Sequence, residues 1–439
     1  MNARTLAIQV LSRVRATEAY LNVVLDTLLA ESPPGDPRDT ALATELVYGS
    51  TRRELALDYA ITRFADRKLE ALEDRVLAAL RIGVYQLFYT RIPARAAVAE
   101  TVQALKEIGL SRASGFVNAI LRKLAAQPSQ PLPPPDDPLE LLSVRESHPR
   151  WLVERWVRQL GRERAEAMLV ANNQTPSVVI RANSARITRD TLLGQLREAG
   201  LDARATAVSP VGLVLPPVGR LEDVYGYAEG LWQVQDEAAQ LVGVYGDIPE
   251  TARVLDACAA PGGKACHQAE KHQVVAADLH ANKLRKIESE AKRLGLSERL
   301  SARAHDASRP WPEDWGEFHA LVVDAPCSGL GTLRRHPELR YRRKPEDLGR
   351  LAVLQRRILE NCQEAVQPGG LLVYAVCTPE PQEGQDQVEM FLRSHPEWTA
   401  EPPVLHESVK LPLTQAWLRT LPGPEGWDGF FAARLRKLY

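Results

Sequence analysis

Cysteine is scarce in this chain, which has five in 439 residues and no pair with C-x-x-C spacing. That spacing is typical of zinc sites, so we expect no bound metal. An odd number of cysteines in a long chain favours reduced thiols and a cytoplasmic location. Long apolar runs are missing too. Because no stretch of about 18 apolar residues occurs, we expect no membrane-spanning helix, and the amino-terminal residues lack the apolar core of a signal peptide.

An excess of either charge is also lacking, because 55 lysines and arginines balance 56 aspartates and glutamates. Nucleic-acid binders are often basic overall, so composition gives RNA binding no support, and any phosphate-contacting surface must be local. The apolar fraction of 45% and the charged fraction of 25% are typical of an ordinary globular protein. At roughly 150 residues per domain, the length predicts two or three domains.

The pattern of apolar residues changes along the chain. Residues 1–127 have helical spacing without strand-like alternation, which predicts an all-helical domain. Residues 128–140 are rich in proline and predict an extended linker. Residues 141–235 mix helical segments with two strand-like runs, as in a small α+β subdomain. Residues 236–439 alternate short apolar runs with helices, which predicts a doubly wound, Rossmann-like α/β domain with a mostly parallel sheet.

The predicted strands of this last domain end in polar or glycine-rich loops. They cover residues 254–257, 274–278, 320–324 and 370–375. Ligands of doubly wound sheets bind at the carboxyl ends of the strands, so we expect the active site in these loops.

The first of these loops reads DACAAPGGK and runs from Asp256 to Lys264. It is not a phosphate-binding loop, because Cys258 replaces the first glycine and Ala265 follows the lysine, and the dinucleotide fingerprint G-x-G-x-x-G is absent. Asp278 ends the next strand, where a carboxylate can bind both ribose hydroxyls. These features favour an adenosine-bearing ligand without phosphates over the alternative, a surface turn with a solvated aspartate.

Two cysteines follow predicted strands in the same cleft. Cys327 lies in DAPCSGLGT, after the strand that ends at Asp324, and Cys377 begins the run CTP. A single cysteine is more often an inert core residue, but a loop position after a strand favours a functional role. We assign Cys266 and Cys362 to the core.

Three runs, DACAAPGGK, DAPCSGLGTLRRHPE and VYAVCTPEPQEGQDQV, resemble those of the NOL/NOP/Sun family of RNA cytosine-5 methyltransferases. Residues 1–127, with RDTALATELVYGSTRR and GFVNAILRKLA, resemble the helical NusB antitermination domain that the bacterial ribosomal members carry. The runs SHPRWLVERW and LWQVQDEAAQLV are similar to their connecting segments, so the resemblance spans essentially the whole chain. One position departs from the pattern, because Val376 replaces the threonine that usually precedes the second cysteine.

The resemblance implies S-adenosyl-L-methionine as the cofactor and small-subunit ribosomal RNA as the substrate, with no obligate protein partner. It implies that the glycine loop wraps the methionine end, Asp278 holds the ribose, Asp306 approaches the adenine and Asp324 lies near the methyl donor and the base. The cofactor-binding residues are then Cys258, Ala259, Ala260, Pro261, Gly262, Gly263, Lys264, Asp278, Asp306 and Asp324.

The same resemblance makes Cys377 the nucleophile and Cys327 the group that assists product release. Two thiols suit this chemistry, because carbon-5 of cytosine is a poor nucleophile until a thiolate adds to carbon-6. A second group near carbon-5 can act as a general base when the adduct collapses, and Asp324 can stabilise charge at the ring nitrogen. A free thiol titrates near 8.5, so Cys377 needs local positive charge or desolvation of its partner to react.

A basic stretch follows the Cys327 loop and is opposed mainly by Glu338. Its position beside a catalytic loop favours phosphate contact over a merely solvated face, and Tyr341 within it could stack on a base. The predicted RNA-binding residues are Arg334, Arg335, His336, Arg340, Arg342 and Arg343.

Three other interpretations compete with this one. DNA cytosine-5 methyltransferases use a Pro-Cys nucleophile but neither a second strand-end cysteine nor a NusB-like domain. Amino-directed methyltransferases need an Asn-Pro-Pro-Tyr-type loop, which is not the sequence after Asp324. A non-catalytic RNA-binding or antitermination factor would fit residues 1–127, but the intact cysteines and cofactor loop argue against it.

Overall fold

The computed structural model describes residues 2–134, 136–404, 410–414 and 416–439. The helices are α1 (Ala3–Thr17), α2 (Leu21–Glu31), α3 (Pro37–Arg52), α4 (Glu54–Thr62), α5 (Asp74–Tyr89), α6 (Ala94–Glu107), α7 (Ser114–Ala125), α8 (Pro138–Arg145), α9 (Arg150–Leu160), α10 (Arg162–Ala171), α11 (Arg189–Glu198), α12 (Glu237–Gly246), α13 (Gly263–Ala269), α14 (Ala281–Leu294), α15 (Leu339–Arg342), α16 (Pro345–Cys362) and α17 (Gln385–Ser394). Across the described ranges, no helix is both long enough and apolar enough to cross a membrane.

The strands are β1 (Val178–Ala182), β2 (Arg204–Ala205), β3 (Gly212–Leu215), β4 (Trp232–Val234), β5 (Arg253–Asp256), β6 (Gln273–Asp278), β7 (Leu300–Ala304), β8 (Phe318–Asp324), β9 (Val366–Val376), β10 (Trp398–Ala400), β11 (Leu413–Thr414), β12 (Trp417–Thr420) and β13 (Phe430–Lys437). They form two sheets. The smaller has the order β2-β3-β1-β4, and the larger has the order β11-β12-β13-β9-β8-β5-β6-β7, with β10 beside β13.

The chain divides into two compact units. The first is helical and comprises residues 1–174 together with residues 333–342. Its core is built by α1 to α7, whose apolar residues recur at helical spacing. Helix α1 shows the pattern: Leu6, Val10 and Val14 face the core, and the side chain of Asn2 caps the first turn by accepting the backbone N–H of Thr5.

The helical unit extends beyond residue 127, where the sequence predicts its end. The turn between α8 and α9 is tied to α4, because Ser147 Oγ accepts the backbone N–H of Ala56 at 3.0 Å and Arg53 donates to the carbonyl of Arg145 at 3.2 Å. The described residues of the segment 128–140, predicted as a linker, are grouped with the first unit. The apolar spacing of α8 to α10 resembles that of any amphipathic helix and does not reveal which unit they join.

The second unit comprises residues 175–332 and 343–439 and contains both sheets. Strands β5 to β9 run parallel to their neighbours, as predicted, and β13 pairs antiparallel with β9. Alternate residues face opposite sides: Val254 packs with helices α12 to α14, and Leu255 packs with α16 and α17. Because both faces are covered, β5, β6, β8 and β9 contain continuous apolar runs. The prediction of a doubly wound α/β domain after a helical domain and a small α+β region is confirmed.

Residues 333–342 belong to the helical unit although they follow the Cys327 loop directly. Arg340 holds them there: it is wholly buried, and its guanidinium donates to the carbonyls of Arg52 and Ser147 at 3.2 Å, of Asn172 at 3.1 Å and to Asn173 Oδ1 at 2.8 Å. Burial lowers the pKa of Arg340 to about 10. The segment is therefore a structural element of a unit that is otherwise made from the first 174 residues.

We predict that Arg340→Ala lowers the free energy of unfolding of the helical unit by at least roughly 3 kcal/mol, because each buried acceptor left without a donor costs about 1–3 kcal/mol. Urea denaturation followed by circular dichroism measures the change. Arg350→Ala is the matched control, since that side chain is 76% exposed, and it should change stability by less than about 0.5 kcal/mol. Equal stability of the two variants would contradict the anchoring role of Arg340.

Candidate active site

The predicted site residues lie at one edge of the large sheet. The loops after β5, β6, β7, β8 and β9 all leave at the carboxyl ends of parallel strands. Strand β5 pairs with β6 on one side and with β8 on the other, so the strand order reverses between β5 and β8. Ligands of doubly wound sheets bind in the crevice at such a reversal.

The glycine loop connects β5 to α13 and is held by backbone hydrogen bonds. Ala259 donates its N–H to the carbonyl of Ala277 at 2.9 Å, and Ala260 donates to Oδ2 of Asp278 at 3.1 Å. Gly262 has φ 106°, a conformation that favours glycine, and a Cβ there would approach Ile287 to 3.2 Å. The loop therefore lies close against the sheet edge, with Asp278 bound to its backbone.

Asp256, the last residue of β5, is a buried carboxylate without a satisfying partner. Within the described part of the chain, neither of its oxygens has a hydrogen-bond donor in good geometry. Burial, followed by the charge of Asp324, raises the pKa of Asp256 to about 7, although Lys264 and the backbone N–H of Cys258 favour the charged form. A buried acid of this kind is costly unless a ligand or a proton neutralises it.

Lys264 and Asp324 form a partly buried ion pair in the cleft. The Nζ of Lys264 lies 2.5 Å from Oδ2 of Asp324 and 5.2 Å from the ring centroid of Phe430. Burial alone would lower the pKa of Lys264, but the interaction with Asp324 outweighs burial and raises it, with a further contribution from Cys377. Lys264 therefore keeps its positive charge, and that charge acts on both Asp324 and Cys377.

The two predicted catalytic thiols are in contact. The Sγ atoms of Cys327 and Cys377 lie 3.2 Å apart, and both residues are half-buried. The hydrogen bond shared with Cys377, followed by burial, raises the pKa of Cys327 well above that of an ordinary thiol. The structure thus brings together the ends of β8 and β9, whereas Cys266 and Cys362 are enclosed in the core.

Asp278, which ends β6, and Asp306, which follows β7, already accept hydrogen bonds from neighbouring residues. Besides Ala260, Asp278 accepts the backbone N–H of His280 at 3.0 Å. Asp306, after β7, accepts the N–H of Ser308 at 2.9 Å and its hydroxyl at 2.7 Å, and these bonds lower the pKa of Asp306. Across the described ranges, no group of three His, Cys, Asp or Glu residues is arranged to hold a metal ion.

The basic stretch is placed differently from the prediction. Arg334 and Arg340 are buried, and the guanidinium of Arg340 donates to carbonyl groups of the helical unit. Arg342 donates to the carbonyls of Glu18 and Ala19 at 2.6 and 2.7 Å, while Arg343 donates to the carbonyl of Ser328 at 2.8 Å.

The remaining members of the stretch are only half-buried. These are Arg335 and His336. The predicted base-stacking residue, Tyr341, instead donates its hydroxyl to the carbonyl of Ser147 at 3.0 Å. A run of positive charges in sequence does not distinguish solvated side chains from those that bind backbone carbonyls.

Two parts of the site were not predicted from the sequence. The first is Asp256, although its position at the end of a strand, like that of Asp278 and Asp324, could have indicated it. The second part is a buried hydrogen-bond network beneath the thiols, consisting of Ser328, Gln355, Thr378 and Glu383. Ser328 and Gln355 are far in the chain from Thr378 and Glu383, so only the fold brings these four residues together.

Three family models match the chain and follow its architecture. The NusB family matches residues 1–126, and the ferredoxin-like domain of RsmF/B-like methyltransferases matches residues 148–219. The model described as 16S rRNA methyltransferase RsmB/F matches residues 247–436. The fold and the strand-end site are those of the Rossmann-like methyltransferases.

The most informative relatives are bacterial ribosomal RNA methyltransferases that match this chain over its full length. Ribosomal RNA small subunit methyltransferase B from Pseudomonas putida is 36% identical over 100% of this chain and 99% of its own length. The probable enzyme of that name from Bacillus subtilis is 34% identical over 99% of each chain. The crystal structure of PH0851 has the same fold, with a TM-score of 0.84, 23% identity, and coverage of 100% of this chain and 99% of its own. The chain belongs to the family of ribosomal RNA small subunit methyltransferase B.

The cofactor of this methyltransferase family is S-adenosyl-L-methionine, and the residues present fit it. The cofactor carries an ammonium and a sulfonium group, and Asp256 is a buried carboxylate that lacks a good partner. A cationic ligand beside the glycine loop would satisfy it.

We predict that Asp256 makes the cofactor-free protein less stable at higher pH. An acid whose pKa is raised by folding contributes stability that is full below about pH 4 and is lost as the pH rises through about 7. The free energy of unfolding should fall by roughly 2–3 kcal/mol more between pH 5 and 8 in the wild type than in Asp256→Asn, since one pKa unit is about 1.4 kcal/mol. Urea denaturation at the two pH values measures this difference.

Asp202→Asn is the matched control, because Asp202 is exposed in a loop of the same unit. It should leave the pH dependence of the wild type unchanged. If Asp256→Asn also keeps the wild-type slope, Asp256 is ionised throughout this range and is not the neutral group that its burial predicts.

Proposed function

We propose that this chain transfers a methyl group to carbon-5 of a cytosine in small-subunit ribosomal RNA through a covalent adduct of Cys377 to carbon-6. The contact of 3.2 Å between Cys327 and Cys377 carries the proposal. It supplies a nucleophile and a proton acceptor within the width of one base, beside the Lys264–Asp324 pair. The substrate class follows that of the relatives, which are named as small-subunit ribosomal RNA methyltransferases.

The residues of the glycine loop, Cys258 to Lys264, would hold the methionine end of the cofactor together with Asp256. Asp278 and Asp306, at the ends of β6 and β7, would hold the ribose and the adenine. When bound, S-adenosyl-L-methionine supplies a methyl group on a sulfonium, which is the electrophile of the reaction. The chemistry requires reduced thiols, which supports a cytoplasmic location.

Cys377 is the better nucleophile of the two thiols. A positive charge beside a thiol favours its thiolate, and the Lys264 ammonium interacts with Cys377. The pair shares a hydrogen bond, and the raised pKa of Cys327 leaves the shared proton on Cys327. The Cys377 thiolate then adds to carbon-6, and the electron pair of the carbon-5–carbon-6 double bond makes carbon-5 nucleophilic.

Asp324 and Lys264 act on the charge that this addition creates. The added electron density spreads over the pyrimidine ring, where Asp324 can stabilise charge at the ring nitrogen. The ammonium of Lys264, 2.5 Å from that carboxyl group, stabilises the negative charge that builds up in this part of the cleft. Both groups are held before the base arrives, so little reorganisation accompanies the reaction.

Release of the product requires Cys327. Once Cys377 is bonded to carbon-6, the hydrogen bond that retained the proton of Cys327 is gone, and this proton passes to solvent. The Cys327 thiolate removes the hydrogen of carbon-5, the double bond reforms, and Cys377 leaves as a thiolate. Each turnover thus replaces one carbon-bound hydrogen by a methyl group, releases one proton and restores both thiols.

The direct test incubates the full-length protein with unmodified small-subunit ribosomal RNA and S-adenosyl-L-methionine and maps cytosines by bisulfite sequencing. One newly protected cytosine is expected. Methyl incorporation without a protected cytosine would place the methyl group on another atom and overturn the proposal.

We predict that the two cysteine variants differ in kind. Cys377→Ala should neither methylate RNA nor become crosslinked to it, because no adduct forms. Cys327→Ala should accumulate a protein–RNA adduct that survives denaturing gel electrophoresis and depends on the cofactor. The double variant should behave like Cys377→Ala, since release is irrelevant without attack.

Cys362→Ala is the control for thiol deletion, because Cys362 is enclosed at the end of α16, and it should retain activity. A trapped complex in Cys377→Ala with an inert Cys327→Ala would reverse the two roles. Full activity in both single variants would refute the covalent mechanism.

A further inference from the structure

Glu383 is a buried acid that the proposed reaction does not use. It ends the short 3₁₀ turn Pro381–Glu383 that follows the Cys377 loop, and its side chain is fully enclosed. Burial raises the pKa of Glu383, while hydrogen bonds from Ser328 and Gln355 work in the opposite direction. A buried carboxylate is costly without such hydrogen bonds. The residues that donate them are therefore the parts of the fold that Glu383 connects.

Both carboxylate oxygens bind Ser328, the residue after Cys327. Oε1 accepts the backbone N–H of Ser328 at 2.8 Å, and Oε2 accepts its hydroxyl at 2.5 Å. The Oγ of Ser328 also lies 3.0 Å from Oγ1 of Thr378, the residue after Cys377. Since Ser328 has one hydroxyl proton and gives it to Glu383, Thr378 donates the second bond. A continuous chain of hydrogen bonds therefore joins the two cysteine loops.

Further hydrogen bonds hold Glu383 from other sides. The side-chain amide of Gln355, on α16, donates to Oε1 at 3.1 Å and to the carbonyl of Pro326 at 2.9 Å. Tyr374, within β9, donates its hydroxyl to the backbone carbonyl of Glu383 at 2.6 Å. Glu383 is thus bonded both to the strand that leads to one thiol and to the loop that carries the other.

We infer that Glu383 is a positioning residue that sets the separation of Cys327 and Cys377 through Ser328 and Thr378. The inference rests on the proposed function, because the separation affects the rate only if both thiols act on one base. It assigns Glu383 no contact with substrate or cofactor. A misplacement of reacting groups by about 1 Å can cost on the order of 100-fold in rate, so a rigid link beneath the thiols has a direct kinetic effect.

The first test measures the thiol separation without RNA. Phenylarsine oxide bridges two adjacent thiols: two sulfur–arsenic bonds form, and the arsenic-bound oxygen leaves with both thiol protons as water. The wild type should be bridged at Cys327 and Cys377, as mass spectrometry of peptides would show. Glu383→Ala should be bridged at least roughly 10-fold more slowly, because its loops are no longer linked. Glu383→Gln keeps an acceptor for the Ser328 N–H and should stay within about threefold of the wild type.

The second test measures methyl transfer to RNA. In Glu383→Ala the value of kcat should fall by roughly 30- to 100-fold, while the KM for RNA changes little and cofactor binding by calorimetry is retained. Glu383→Gln should recover most of the rate. Glu389→Ala, a half-buried glutamate on α17 that contacts Gln385, is the control and should behave as the wild type. Wild-type bridging and kcat in a folded Glu383→Ala would overturn the inference.

A second variant decides the case if Glu383→Ala fails to fold. Thr378→Val removes the hydroxyl that joins the loops and leaves the carboxylate with its other partners. Its bridging and kcat should both fall by about 3- to 10-fold, an intermediate loss. If neither changes, the link through Thr378 does not set the thiol separation, and the inference is wrong.

The two tests also separate this inference from the proposed function. The arsenical reaction needs neither RNA nor methyl transfer. If it follows the expected order in the variants while the wild type leaves every cytosine of ribosomal RNA unprotected, the proposed function fails and the positioning role stands. If the wild type methylates carbon-5 and Glu383→Ala matches it in both measurements, only the inference fails.

Discussion

The parallel arrangement of strands β5 to β9 is the constraint on which the site depends. Parallel strands end at one edge, so groups from five distant segments of the chain meet there. The same arrangement buries both faces of the sheet under helices, which makes the edge a low-dielectric environment. There a buried acid such as Asp256 interacts strongly with its neighbours. The buried acid, the Lys264–Asp324 pair and the two thiols in contact all follow from this arrangement.

The sequence predicts this region well because each inner strand is a short apolar run that ends in a polar or glycine-rich loop. Four strands and their loops were predicted in this way, and all four are present. Strand β7 was missed because Leu300 is the only buried residue of Leu300–Ala304 and the strand carries Arg303. The antiparallel strands β10 to β13 also escaped prediction, because the expected alternation of strands with helices has no place for a carboxyl-terminal hairpin. Packing between distant segments, rather than local pattern, decides these elements.

The basic stretch and the network beneath the thiols show the limit of inference from local sequence. Arg340 reads as a surface charge beside a catalytic loop, yet it is buried against carbonyl groups of the helical unit. Thr378 and Ser328 each follow a catalytic cysteine, and the bond between their hydroxyls is visible only once β8 and β9 are neighbours. At position 376, where the resemblance predicts a threonine, this chain has a valine whose side chain is fully enclosed. The hydroxyl link in this chain comes from Thr378, the residue after the cysteine.

The inclusion of residues 333–342 in the helical unit has a consequence for how the chain is made. Domains usually fold in order as they leave the ribosome, the amino-terminal one first. Here the first unit lacks residues 333–342 while strands β5 to β8 are synthesised. The acceptors that bind Arg340 have no donor until that residue leaves the ribosome. Completion of the amino-terminal unit therefore waits for about three quarters of the chain, and a nascent protein that stops before this point has neither unit finished. The amino-terminal unit is therefore continuous in space but not in sequence.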